Sequence, residues 1–123
     1  WYDRGGLSGR KAMLAFSTGC YPTMCGPDGI NGDMDIILWP LQNGTLRFAG
    51  MQVLPPFIAY SVAYRDDAAR RQMIADYVCR LQELETTPAL DFHHRDDFSK
   101  DWRLKEGIAP RAVGQIRAPG RQP

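Results

Sequence analysis

The 123-residue sequence predicts an α/β fold, part of a domain built on parallel strands. Three observations carry this reading. "KAMLAFS" (residues 11–17) is a continuous apolar run bounded by turn signals, the pattern of a strand buried on both faces. "MQVLPPFIAY" (residues 51–60) is a second strand candidate, separated from the first by a loop and a helix-like stretch. The clearest helix of the chain, "DDAARRQMIADYVCRLQELE", follows it after a short turn. Strand, loop, helix, strand, helix is the order in which a right-handed crossover joins two parallel strands.

Each element has its own signals. The opening turn "DRGGLSGR" is glycine-rich and brings the chain into the first strand; a short buried helix over residues 11–17 is the alternative that periodicity leaves open. Asp33 is a helix N-cap for "MDIILWPLQNGTLRF", where Ile36, Ile37, Trp39, Leu41 and Leu46 crowd one broad side and Pro40 should kink or split the helix. Pro55 and Pro56 favour an edge position for the second strand, since neither can donate to a ladder. Asp66 and Asp67 place negative charge at the start of the last helix. Along it Ala69, Met73 and Tyr77, with Ile74, Val78 and Leu81, form a stripe expected to be core. "TTPALDFHHRDDFSKDW" has no sustained period and reads as an irregular segment packed by Phe92, Phe98 and Trp102, with His93 and His94 on its solvated surface. Residues 103–123 read as a loosely structured tail.

Two strands cannot bury both faces of a sheet, so residues 1–102 are expected to be the C-terminal portion of a larger domain. Composition narrows the function classes. A net charge of +1 argues against a nucleic-acid surface, although Arg103, Lys105, Arg111, Arg117 and Arg121 make the end mildly basic. No apolar stretch approaches the roughly 18 residues of a membrane span, and the N-terminus has no signal-peptide core, so a soluble, cytoplasmic protein is expected. Cys20 and Cys25 share a loop without CxxC spacing, which argues against a metal site, and Cys79 reads as a small buried hydrophobe. An odd, unframed set of thiols suits a reducing compartment.

The strings "GLSGRKAMLAFSTG", "GPDGINGDMDIILWPLQNGTLRFAG" and "VLPPFIAY" resemble the C-terminal half of the NAD(P)H:quinone oxidoreductase family, the DT-diaphorase-like flavoproteins. The resemblance covers residues 6–84 and continues more weakly to Trp102; "LWPLQNGTLRFAG" and "VLPP" are its specific parts. It implies a flavodoxin-like three-layer sandwich around a parallel sheet and a bound FAD, with FMN as the alternative. It also implies NAD(P)H as co-substrate, a quinone as acceptor, two-electron hydride transfer through the flavin, and a homodimer. The half of the domain that holds the flavin phosphates is expected to lie outside this chain.

Ligands of open α/β sheets bind at the carboxyl ends of strands, and "STGC" leaves such an end. Read from the residues alone it is an ordinary strand exit. By resemblance, Ser17, Thr18, Gly19 and Cys20 are flavin contacts, and Val62 and Arg70 approach the same cofactor. Arg70 suits a charged ligand because its guanidinium stays ionised, while an exposed helix residue is the plain alternative. Met24 and Phe48 match positions lining the quinone and nicotinamide pocket, Phe48 across the dimer interface, and Trp102 falls near aromatic residues that close it; all could otherwise be packing residues. The sequence departs from the family at two catalytic positions. A tyrosine and, six residues on, a histidine help the family's flavin through its charge change; here Cys25 and Asn31 stand there. Asparagine cannot take up a proton, so a flavin-binding ancillary subunit, like the family's relatives accompanying potassium-efflux systems, is the alternative function.

Overall fold

Two parallel strands, β1 (Lys11–Thr18) and β2 (Gln52–Tyr60), organise the protein in a computed structural model that describes residues 1–115. Their register runs from Lys11 opposite Gln52 to Thr18 opposite Tyr60, and it slips once: Met13 faces Leu54, but Ala15 faces Phe57. The extra residue falls at Pro55–Pro56, where the missing N–H groups would break a regular ladder in any case. Two β2 carbonyls accept from outside the strand pair, Val53 from the Leu90 N–H at 2.8 Å and Pro55 from Arg80 Nη2 at 2.9 Å. Val53 and Leu54 are each 1% exposed, so the core lies against this part of β2.

The crossover contains helix α1 (Met34–Leu41), capped as its sequence predicts: the Asp33 carboxylate accepts the Asp35 N–H at 2.9 Å. Pro40 does not split the helix at its own position. The backbone stays α-helical to Leu41 and then widens into a π-helical turn, Gln42–Arg47, in which the Phe48 N–H reaches back to the Asn43 carbonyl at 3.1 Å. Proline has no N–H for the Ile36 carbonyl, and the looser turn follows directly on that broken ladder. The expected apolar side is only partly buried: Leu38 faces the core, whereas Ile36, Ile37 and Leu41 are exposed.

Helix α2 (Asp67–Gln82) starts where Asp66 accepts the Ala69 N–H at 2.8 Å. Its stripe is half-covered, with Tyr77 against Phe57 at a ring separation of 5.0 Å. Ile74 is 65% exposed, Val78 and Leu81 are exposed as well, and Cys79 lies on the surface instead of in a core. A strand pair is too narrow to cover a stripe along a sixteen-residue helix.

Beyond α2 the chain turns back over the first residues. Arg47 sits between the rings of Tyr2 and Phe92, 4.7 and 5.2 Å from their centroids, and donates to the His93 carbonyl. Contrary to the solvated position expected for it, His93 is 2% exposed. The Arg111 N–H donates to its Nε2 at 3.1 Å, so Nδ1 carries the proton and donates to Asp97 Oδ2 at 3.2 Å. His94 is exposed, as expected. Within residues 103–115, read as part of a loose tail, most residues are exposed, but Ala112 is 2% exposed, and Gly114 lies so close to Trp39 that a Cβ there would sit 2.1 Å from the indole. The rest of that expected tail lies outside the described residues.

Candidate functional site

Because β1 and β2 run in the same direction, both exit at one edge of the sheet, β1 into Gly19 and Cys20 and β2 into Ser61 and Val62. Ser61 locks the exits together. It is wholly buried, and both its N–H and its Oγ donate to the Cys20 carbonyl at 3.1 Å. To do so it adopts the left-handed conformation, φ 57° and ψ 29°, which a residue with a side chain seldom takes. Gly19 beside it stays open: a Cβ built there would meet nothing within 4 Å.

A cavity of about 440 Å³ opens next to these exits and brings together Ser17, Val62 and Arg70 with an otherwise apolar lining that includes Phe57, Met73 and Tyr77. Arg70 is oriented from two sides, Nε donating to the Val62 carbonyl at 3.2 Å and Nη1 pairing with Asp67 at 3.3 Å. Its ionised head therefore stands at the rim of a crevice fed by two strand ends and one helix start.

On the loop beyond Cys20, a short polar chain links Thr18, Cys20, Cys25 and Asn31. Thr18 Oγ1 lies 3.1 Å from Cys20 Sγ, Cys20 Sγ lies 2.8 Å from Cys25 Sγ, and Asn31 Nδ2 lies 3.7 Å from Cys25 Sγ. The loop can fold this tightly because Gly29 passes over the Met24 carbonyl, where a Cβ would come within 2.5 Å, and the Asn31 N–H then donates to that carbonyl at 2.9 Å. Hydrogen bonds from the Cys25 thiol and the Thr18 hydroxyl hold the Cys20 thiol below its ordinary value, whereas the bond with Cys20 and then burial push Cys25 up. Tyr60, at the end of β2, is raised by burial and further by the neighbouring thiols, so its phenol stays protonated.

Phe48 and Trp102 are elsewhere. Trp1 lies between them, with ring separations of 6.0 Å to Phe48 and 4.8 Å to Trp102, and the Arg95 guanidinium stands 5.2 Å over both tryptophans. This aromatic cluster flanks the start of the strands. Eight-residue β1 separates it from Ser17–Cys20 by roughly 25 Å at about 3.3 Å per residue.

The sequence matches the family described as having a flavodoxin-like fold over residues 1–83. The chain belongs to this flavodoxin-like family. Among flavodoxin-like relatives, NAD(P)H dehydrogenase [quinone] 1 of Cavia porcellus is 41% identical over 88 residues, 71% of this chain and 32% of that protein. Ribosyldihydronicotinamide dehydrogenase [quinone] of Homo sapiens is 40% identical over 84 residues, 68% of this chain and 36% of that protein. A crystal structure from Klebsiella pneumoniae assigned as a quinone reductase superposes with a TM-score of 0.82 at 31% identity, covering 94% of this chain and 47% of that one. The chain thus spans about a third of the length of these curated relatives and about half of the solved chain.

Three features of this region were not legible in the sequence. Ser61 carries no pattern at all; only its backbone angle and its two bonds to Cys20 single it out. Tyr60 reads as one more strand residue until the thiols lie beside it. The contact between Cys20 and Cys25 depends on the turn at Gly29, whose signal is a "PDG" string common to many loops.

Proposed function

We propose that the chain is the C-terminal portion of a flavin-dependent NAD(P)H dehydrogenase (quinone). The carrying observation is the crevice at the shared strand exits, where Ser17, Val62 and the ionised Arg70 converge beside the open Gly19. The relatives' names support the same reading. FAD is the cofactor we favour, with FMN as the alternative, and NAD(P)H and a quinone are the co-substrates. These residues fit such a ring. Gly19 presents no side chain to a plane laid over the 17–20 backbone, and Arg70 offers a permanent positive charge to an electron-rich edge. When bound, the flavin supplies the hydride chemistry. The protein's share is to orient and to hold charge: Ser61 fixes the Cys20 carbonyl, Asp67 and the Val62 carbonyl aim Arg70, and Tyr60 remains a neutral hydroxyl.

Met24 lies beyond the exit of β1 and Phe48 before the start of β2, at opposite ends of the strand pair, so a pocket using both would need a second copy; this supports a homodimer. We place the protein in the cytoplasm on its unpaired thiols. Among the described residues, no helix is long and apolar enough to cross a membrane.

A second reading is favoured by Cys25 and Asn31, which are bonded to each other and offer no proton relay: a flavin-binding ancillary subunit of a transport system. One experiment separates the two. The full-length protein is titrated with FAD and with FMN, following quenching of flavin fluorescence, beside Gly19→Val, which should lose binding by filling the open face. Anaerobic bleaching by NADH or NADPH and reoxidation by a quinone support the enzyme; binding without bleaching supports the ancillary role. No binding of either flavin refutes both.

A further inference from the structure

Cys20 and Cys25 have a geometry that neither sequence spacing nor the proposed hydride transfer requires. Their sulfurs stand 2.8 Å apart, closer than two unbonded sulfurs sit by chance and about 0.8 Å outside the roughly 2.05 Å of a disulfide. Both backbones are anchored, Cys20 through its carbonyl to Ser61 and the Cys25 loop through the close pass of Gly29 over Met24. The two sulfurs also differ in exposure. Cys20 is partly exposed at the strand exit, while Cys25 is 7% exposed behind it. Thr18 Oγ1 and Cys25 both hydrogen-bond the Cys20 sulfur, the arrangement that stabilises a thiolate. Asn31 Nδ2 approaches Cys25 from the other side.

We infer that Cys20 and Cys25 form a peroxide-sensitive dithiol, with Cys20 as the attacking sulfur and Cys25 as the resolving one. The Cys20 thiolate attacks one oxygen of a hydroperoxide; the O–O bond breaks, the Cys20 sulfenic acid forms, and the other oxygen leaves as hydroxide or alkoxide and takes up a proton. The Cys25 sulfur then attacks the sulfenic sulfur, forming the S–S bond and expelling water. For hydrogen peroxide the sum is two thiols and one peroxide giving one disulfide and two waters, and a small dithiol returns the disulfide to two thiols by exchange, itself ending as a disulfide. Closing the bond tightens the loop that carries Met24. This thiol chemistry does not depend on the proposed flavin crevice.

Trypsin makes the test direct, because residues 12–46 contain no Lys or Arg: both cysteines fall in one peptide, 12–47, ending at Arg47, and Cys79 falls in residues 72–80. The protein is treated with graded hydrogen peroxide, blocked with N-ethylmaleimide, digested and weighed. The peptide 12–47 is expected to lose both maleimide sites together and to appear about 2 Da lighter, at doses roughly tenfold below those consuming the exposed Cys79, and dithiothreitol should restore both sites. Cys25→Ser should stop Cys20 at sulfenic acid, trapped by dimedone, and Cys20→Ser should slow loss of the Cys25 thiol about tenfold. The urea-unfolded protein should lose the advantage over Cys79. Equal rates for the pair and Cys79, equal rates folded and unfolded, or progress to sulfonic acid without the disulfide would each overturn the inference.

Discussion

Ser61 offers the sharpest measurement of how the two strand exits are held. The residue is completely buried, sits at φ 57°, and sends two donors to one acceptor, the Cys20 carbonyl. In Ser61→Ala the N–H still satisfies that carbonyl, so no buried acceptor is orphaned and the loss is one neutral hydrogen bond, about 1 kcal/mol. In Ser61→Gly the same bond is lost, but the left-handed conformation no longer costs the roughly 1–2 kcal/mol that a Cβ imposes. Against that relief stands the extra backbone freedom of glycine in the unfolded chain, about 0.5–1 kcal/mol. The net for glycine therefore runs from a loss of about 1 to a gain of about 0.5 kcal/mol, centred on a small loss. Ser61→Val keeps the strain, adds a branched carbon to a filled site and should cost more than about 2 kcal/mol. Urea unfolding followed by tryptophan fluorescence should rank the midpoints wild type, Gly, Ala, Val, with Ala about 0.5–1 M below wild type for a slope of about 1–2 kcal/mol per M. A glycine variant no more stable than the alanine variant would refute the strain at Ser61, and an alanine variant equal to wild type would refute the contribution of the Oγ bond.

Three further outcomes follow from other parts of the fold. Gly114→Ala would drive a methyl into the Trp39 indole, since the new carbon would start 2.1 Å from the ring, and thermal unfolding should show a loss of about 1–3 kcal/mol. At Asp97, desolvation alone would raise the carboxyl, but the bonds from His93 and the His94 N–H, with the Arg111 charge, outweigh it and leave it below its ordinary value. That stability is present above the unfolded carboxylate value and is lost as pH falls through the lower folded one. Wild type should accordingly lose stability more steeply than Asp97→Asn between about pH 5 and pH 2, as read from urea midpoints against pH. Finally, Cys25→Tyr with Asn31→His in the full-length protein should speed flavin reduction by NAD(P)H, up to the roughly 10²–10⁴-fold that acid–base assistance supplies; stopped-flow bleaching no faster than wild type would show that proton handling is not limiting.

The backbone elements were legible because their signals are local. An apolar run between turns and an aspartate before each helix mark β1, α1 and α2 without reference to anything distant, whereas the two adjacent prolines, read only as a sign of an edge strand, also carry a register slip that the pairing alone reveals. What escaped the sequence depends on partners far along the chain. His93 stands beside the exposed His94 in a stretch without period, and only Arg111, eighteen residues later, and Asp97 make it a core residue. The α2 stripe fails for the opposite reason: its periodicity is genuine, but the amount buried is set by the width of the neighbouring sheet, which no window of that helix records. At the site, Ser17, Val62 and Arg70 do converge, while Cys20 and Cys25 reveal their contact only once Gly29 has folded the loop back.

The separation between the two groups of proposed site residues bears on the whole assembly. Ser17–Cys20 and the Cys25 loop lie at one end of the strands, Phe48 and Trp102 at the other, and α1 with its π-helical turn is the segment that leads from the first end to the second. Ile36, Ile37 and Leu41, exposed on α1, give that segment an apolar outer face. A two-fold axis through such a face would set the strand exits of one copy against the aromatic cluster of the other, because an isologous contact reverses direction across the axis. The proposed homodimer then has a specific geometric duty, to close over each crevice the Phe48 that its own chain holds roughly 25 Å away. The same geometry requires the pockets to occur in pairs, so substitutions of Phe48 in one copy should impair the crevice of its partner, and a mixed dimer of a Phe48→Ala chain with a Gly19→Val chain should retain one intact site.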